Sequence, residues 1–401
     1  MVLKLVTPMT ITAIECHVLV VPDLKEDATS SSQDNLVVLV QTDDGITGVG
    51  ETDTGPWLAR AAIEAPGSHS MAMSLKDVYL GQDPFETTAL WDRAYEATCM
   101  SGRSGPVLCA MGAIDMALWD IKGKAVGKPV YKLLGGAVQK TITPYASLQP
   151  EGTNVKTYTQ TLVSWAKKAK KAGFRAGKME CTLNGPYRHQ SLRGTDEQAT
   201  EVVRAVREAV GKDFALMVDV QYLWRDAPTC LRTVSQWADL DIYFLETPLR
   251  VDNLEGYAQL AREAPMRIAA GEWLNSRHEF RQLLDVGRVD VAQPDVGRCG
   301  GFTESMRVCH MAEDRGRQIV PHCWKTGIGI AATAHLAFAI PHCPFIEYLP
   351  ASLCDSALRR DLCDDGLTFK DGVLLPPTKP GLGIDLDIDA LKKYRAKPLT
   401  I

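Results

Sequence analysis

Asp219, Glu246, Glu272, Asp295, His322 and Glu347 recur through the second half of the chain at intervals of 23 to 27 residues. Each closes a short apolar run: ALMVD, IYFLE, RIAAGE, VDVAQPD, RQIVPH and PFIE. Three carboxylates brought to one place repel each other and raise each other's pKa unless a cation sits among them. All-oxygen ligation of that kind suits Mg²⁺, which keeps waters or takes substrate oxygens in its remaining positions. Taken singly, Asp219, Glu246 and Glu272 would each read as an ordinary surface carboxylate; the shared interval makes them a set. Asp295 and His322 close the next two runs. A carboxylate beside an imidazole sets its tautomer and raises its basicity, as a general base requires. Lys178 and Glu180 stand two apart in the run GKME, so they share one face of a strand. A lysine there is partly desolvated and can hold a carboxylate or act as a base, whereas a solvated Lys–Glu surface pair is the plainer alternative. Together these residues suit removal of a proton α to a carboxylate. The dianionic enediolate so formed needs a metal at the substrate carboxylate and a His or Lys to take the proton.

The elements that must position this set follow from the interval, which is the length of one strand, one helix and two loops. Strands are expected to start near Thr141, Phe174, Phe214, Ile242, Arg267, Val289, Gln318 and Phe345, apolar and short as a buried parallel sheet requires. Charged groups at successive strand ends then describe a (β/α) barrel with its chemistry on one rim, although an open doubly wound sheet satisfies the same pattern. Helix starts are expected at Thr195-Asp-Glu-Gln198, Asp252-x-x-Glu255 and Ser276-x-x-Glu279. The first third differs. Asn35–Gln41 and Ile46–Glu51 flank Thr42-Asp-Asp-Gly45 as a hairpin, and Met9–Val21 reads as a strand. Helical patterns follow from about Trp91 to Leu134, with Gly123 or Gly127 closing the segment that begins at Gly112. We expect an α+β capping domain over residues 1–137, a barrel over 138–350, and a turn-rich C-terminal segment, 351–401, that returns to the cap.

The chain has 401 residues, 45% hydrophobic and 23% charged, with a formal net charge of −5. That balance argues against nucleic acid or an anionic membrane as the main partner. Its 11 cysteines are scattered without a CxxC pair, and are expected to be reduced packing residues in a cytoplasmic protein.

The residues together resemble the mandelate racemase/muconate-lactonizing group of the enolase superfamily over essentially the full length. The resemblance rests on Gly45-Ile-Thr-Gly48-Val-Gly50-Glu51, on Ala113-Ile-Asp115-Met-Ala-Leu-Trp119-Asp120 through Gly135-Gly136, and on the strand-end set. It implies a modified (β/α)₇β TIM-type barrel, an α/β fold, under an N-terminal α+β cap completed by C-terminal residues. It further implies Asp219, Glu246 and Glu272 as Mg²⁺ ligands, Asp295–His322 as the catalytic dyad and Glu347 as the acid that hydrogen-bonds the substrate carboxylate. Lys178 matches the first lysine of the group's KxK pair. The second position is Glu180, a departure that counts against racemisation, since racemases of the group carry a lysine base there. The resemblance therefore implies a dehydratase of an aldonic or aldaric acid, with His322 as acid or as acid and base. The division of labour among Lys178, Glu180 and His322 stays open. An epimerase, a lactone cycloisomerase and a catalytically silent relative are the alternatives. Trp57, Tyr145, Trp324 and Lys325 are candidates to line the substrate pocket, with the segments Lys25–Asp34 and Thr52–Trp57 as its lid. A homo-oligomer is implied by the same resemblance.

Overall fold

A computed structural model describes residues 9–24, 33–148, 151–188, 192–324, 326–354 and 356–397. Lys325 and most of the expected lid segment Lys25–Asp34 fall outside them. Three antiparallel strands come first: β1 (Ile11–Val20), β2 (Asp34–Thr42) and β3 (Thr47–Thr52). The turn between β2 and β3 is the expected hairpin, with Gly45 at φ 84° and the Thr42 hydroxyl accepting from the Ile46 amide. The helix Pro106–Val126 packs across this sheet and is buried along almost all its length. Gly127, at φ 65°, closes it, not Gly123. Backbone approaches side-chain-free backbone at this contact. A Cβ on Gly48 would lie 2.1 Å from the Ala117 carbonyl oxygen, and one on Gly50 would lie 1.9 Å from that of Ala113. Gly50→Ala must therefore push the helix off the sheet. Its expected cost is about 3 kcal/mol, the upper end of overpacking, read as a lowered denaturation midpoint; an unchanged midpoint would refute the close approach.

Eight parallel strands form the second sheet: β4 (Thr143–Leu148), β5 (Ala176–Glu180), β6 (Ala215–Asp219), β7 (Ile242–Glu246), β8 (Arg267–Ala270), β9 (Val291–Ala292), β10 (Gln318–Ile319) and β11 (Phe345–Tyr348). Each begins within about two residues of its expected start, well inside the scatter of boundary assignment. Their order is β10-β9-β8-β7-β6-β5-β4-β11, so the last strand pairs with the first and the sheet curls into a TIM-type barrel. The Ile319 amide donating to the His342 carbonyl at 3.0 Å spans the seam between β10 and β11. Helices alternate with the strands because each strand, buried on both faces, needs an amphipathic cover. A plug of Tyr145, Ala176, Met217, Phe244, Ala269, Val291 and Val320, roughly one per strand, fills the barrel interior.

Local capping matches the sequence in one case and shifts in two. Thr195 and Gln198 form the reciprocal capping box. The helix Leu254–Glu263 is capped by Asn253, whose side chain accepts from the Gly256 amide, while Asp252 pairs with Arg250 instead. Ser276 precedes Arg277–Asp285 without a side-chain cap, and Glu279 takes the Asn275 amide at 2.8 Å. The C-terminal segment reaches the cap. Leu382 donates its amide to Asp120, Val20 donates to the Tyr394 carbonyl, and Gly381 lies so close to Gly123 that a Cβ there would sit 2.6 Å from its Cα. All 11 cysteines are free and ten are buried. Among the described residues no helix is long and apolar enough to cross a membrane.

Candidate active site

The ends of β4–β6 and β11, with the loops that follow β5, β6, β8, β9 and β10, converge on one cavity of 260 Å³. Lys178, Glu180, Asp219, Glu272, His322 and Glu347 all line it. Two members of the expected set lie just behind the wall. Glu246, wholly buried, sits beneath Lys178, and Asp295 sits behind His322. The register explains the convergence, because Glu180 pairs with Asp219 and Asp219 with Glu246 across adjacent parallel strands.

Lys178 is the hub of the β5 side. Its Nζ donates to Glu246 Oε1 at 2.6 Å and lies 3.3 Å from Glu347 Oε1. Burial disfavours the ammonium, but Glu246 and Glu347 outweigh it and hold the lysine charged, well above its usual range. Glu246 Oε2 accepts from Gln293 at 2.6 Å. Glu347 accepts from the Ser147 hydroxyl and, at 2.8 Å, from the Cys323 amide; Lys178 and His322 draw its carboxyl below the usual range against the opposing effect of burial.

On the opposite side His322 Nδ1 lies 2.7 Å from Asp295 Oδ2, and its Nε2 lies 3.1 Å from Glu272 Oε2. Burial and Arg298 oppose the imidazolium, while Asp295, Glu272 and Glu347 favour it; the balance is a raised pKa. Asp295 is oriented in turn by the Gly297 amide. Arg298 makes a two-point ion pair with Asp53 of the cap, 2.7 and 3.0 Å, and donates to the Glu272 carbonyl. This pair ties cap to barrel inside the site. Removing one partner leaves a buried charge, so Asp53→Ala should cost about 3–5 kcal/mol, seen as a drop in denaturation midpoint larger than that of Asp53→Asn.

Among the described residues no three His, Cys, Asp or Glu side chains are gathered closely enough to hold a metal as they stand. The reason is visible in their partners. Glu246 is drawn to Lys178 and Gln293, Glu272 to His322 and the Tyr222 hydroxyl, and Asp219 accepts from Thr247 and the Gln221 amide. The donor chemistry nevertheless fits a hard divalent cation. Burial first, with like charges added, pushes Asp219 up to about 6, Glu246 to about 7 and Glu180 to about 8. Seven acids, counting Asp53, surround the cavity against Lys178 and Arg298. An anionic substrate would be repelled until a cation joined them.

Two expected pocket residues stand elsewhere. Trp57 lies on the cap helix Pro56–Glu64, half-buried against the cap core with the Arg60 guanidinium 5.7 Å over its ring; the cap reaches the site through Asp53, not through Trp57. Tyr145 is fully buried in the plug below the cavity. It is one layer too deep. Ser147, two residues further along the same strand, is the inward side chain at the mouth, as the two-residue period dictates. Trp324 does line the cavity. The lining also includes Gln221, Tyr222, Trp273, Tyr187 and Arg298, which the strand-end pattern passed over. Gln221, Tyr222 and Trp273 follow within three residues of Asp219 or Glu272, and that adjacency was the available signal.

Comparison with known proteins agrees with this geometry. Residues 11–135 match the model of the mandelate racemase/muconate lactonizing enzyme N-terminal domain, and residues 161–390 match the enolase C-terminal domain-like model. A D-galactarolactone cycloisomerase from Agrobacterium fabrum is 31% identical over 96% of this chain and 99% of its own length. An L-rhamnonate dehydratase from Saccharopolyspora erythraea is 33% identical over 88% of this chain and 83% of its own. The crystal structure of a racemase from Streptomyces coelicolor with bound magnesium superposes with a TM-score of 0.81 at 25% identity, covering 96% of this chain and all of that one.

Proposed function

The chain belongs to the mandelate racemase/muconate lactonizing enzyme group of the enolase superfamily, and from that membership we propose that it is a Mg²⁺-dependent dehydratase of an acid sugar. The asymmetry of the two faces of the cavity carries the choice of reaction. Racemisation needs a group on each side of one carbon, each able to take the proton in one direction and to return it in the other. On one side stands His322, backed by Asp295. On the other, Lys178 is held as an ammonium between Glu246 and Glu347, and Glu180 stands two residues further along the same strand where a second lysine base would be needed. Dehydration asks for only one exchanging group. In this reading His322, in its neutral form, takes the α-proton. The C–O bond at the β-carbon then breaks, His322 returns the proton to the departing hydroxyl, and water leaves with an enol that becomes the 2-keto-3-deoxy acid. Asp219, Glu246 and Glu272 would hold Mg²⁺, whose charge offsets that of the substrate carboxylate as the α-carbon loses its proton. Glu347 and Ser147 orient the substrate, Lys178 supplies a fixed positive charge, and Asp53 with Arg298 holds the cap (residues 1–137 with 351–401) over the barrel (138–350). The named dehydratase among the relatives supports the same reaction class.

The near full-length match to a galactarolactone cycloisomerase favours one second reading, proton removal with opening of a lactone ring. A screen of four- to six-carbon aldonic, aldaric and lactone acids with Mg²⁺ separates the two. A 2-keto-3-deoxy acid released from an open-chain acid establishes the dehydratase. Product from lactones alone establishes the cycloisomerase, and α-deuterium uptake from D₂O without either product would overturn both.

A further inference from the structure

Beside the catalytic cavity lies a second hollow of 550 Å³ that shares three of its walls, Tyr187, Tyr222 and Trp273. The three rings form a prebuilt surface. Tyr222 and Trp273 stack at 4.1 Å and 29°, and Tyr187 meets them edge-on at 6.0 and 5.4 Å. Trp273 and Tyr187 are 41% and 39% exposed, a large aromatic area left open to solvent beside a cleft, as ligand grooves show. The backbone is bent to make it. Gln221 and Tyr222 are consecutive non-glycine residues at φ 43° and 61°, a conformation that costs on the order of 1–3 kcal/mol each and that concentrates at functional sites. Two bonds keep Tyr222 there: its amide donates to the Thr247 carbonyl and its hydroxyl to Glu272 Oε1 at 2.8 Å. The aromatic platform is thus anchored on a member of the carboxylate triplet. The hollow is also lined by two exposed residues, Arg225 and Arg250, the second with its guanidinium held by Asp252 at 3.1 and 3.2 Å.

An open-chain polyhydroxy acid, lined with hydroxyls on every side, has no use for such a platform. A pyranose ring does, because it offers a flat C–H face to the aromatics and a rim of hydroxyls to the arginines. We propose that this hollow is a sugar-ring subsite, so that the substrate is an acid sugar bearing a pyranosyl group at the end remote from its carboxylate. The inference rests on the acid-sugar reading of the adjoining cavity.

The test uses matched pairs: a six-carbon aldonate and the same aldonate carrying a pyranosyl group on O6. Binding is measured by calorimetry with Mg²⁺ present, alongside turnover. The glycosylated member is expected to bind at least about tenfold tighter. That preference should fall to within about twofold of unity in Trp273→Ala, which removes the stacked face, and in Val251→Trp, which fills the hollow. Circular dichroism melts confirm that each variant folds. A plain aldonate that binds as well, a preference that survives both variants, binding of neither acid, or an equal gain from a cyclohexyl-bearing acid would each overturn the subsite. Binding preference is read whether or not either acid is dehydrated. Tight, preferential binding without turnover would therefore count against the proposed reaction and not against the subsite.

Discussion

His322→Asn is expected to lower kcat by about 10³- to 10⁴-fold, the upper range for losing a general acid–base group, while KM and the folded structure change little. Asparagine can still hydrogen-bond Asp295, which lies 2.7 Å from the imidazole Nδ1 in the wild type, but it cannot carry a proton between carbon and oxygen. Asp295 would not be left orphaned, since the Gly297 amide donates to its other oxygen at 2.8 Å. A matching Asp295→Asn variant should move the pH profile in a defined direction. Asp295 is one of the groups that raise the His322 pKa against burial, so its neutralisation lowers that pKa. The acidic limb of kcat, which reports the base becoming deprotonated, should then shift to lower pH. A His322→Asn enzyme retaining more than a tenth of its turnover would sink the assignment of His322, and an acidic limb that moved upward would sink the role of Asp295.

Removal of divalent metal should abolish turnover, by about 10³-fold or more given the several kcal/mol that charge neutralisation at the carboxylate supplies, and Mg²⁺ should restore it. The same experiment has a structural readout. Asp219, Glu246 and Glu180 are raised to about 6, 7 and 8 from ordinary values of 3.8, 4.5 and 4.5. Between roughly pH 4 and 8 these three groups bind more protons in the metal-free folded state than in the unfolded chain, so their contribution to stability falls as pH rises through that window. His322, raised from 6.5, acts in the same direction. Glu347, lowered from 4.5, acts in the opposite one but only at acidic pH, and Lys178 titrates above the window. A cation that binds the ionised carboxylates reverses the loss. Mg²⁺ should therefore raise the melting temperature more at pH 8 than at pH 5.5. Chelation without loss of activity, or a Mg²⁺ gain that is larger at the lower pH, would contradict the placement of the metal.

The barrel was legible because a buried parallel strand and its covering helix each impose a period on the chain, and the repeat of both survives as the even spacing from Asp219 to Glu347. Strand ends were readable for the same reason: the charged residue that terminates an apolar run marks where the chain leaves the sheet. Side chains beyond those ends obey no period. Tyr222 reaches Glu272 only because Gln221 and Tyr222 turn through the left-handed region. Nothing in the string VQYL announces that turn, which Gly or Asn would ordinarily make. Trp57 failed for a related reason. The sequence places it five residues after β3, but the direction of the helix that follows decides whether it meets the barrel or its own cap.

From sequence alone this protein's fold, its row of strand-end acids and its Asp295–His322 pair can be read, since covalent spacing along a strand dictates which residues share a rim. The tertiary structure decided what each charge faces. It set Lys178 between Glu246 and Glu347, brought Asp53 from the cap onto Arg298, lowered Tyr145 into the plug and raised the Tyr187–Tyr222–Trp273 platform beside the cavity. Those outcomes depend on contacts between segments up to about 245 residues apart. Such contacts are settled by packing and by the cost of leaving a buried charge or hydrogen bond unpaired, terms that belong to the folded assembly of segments and to no segment on its own.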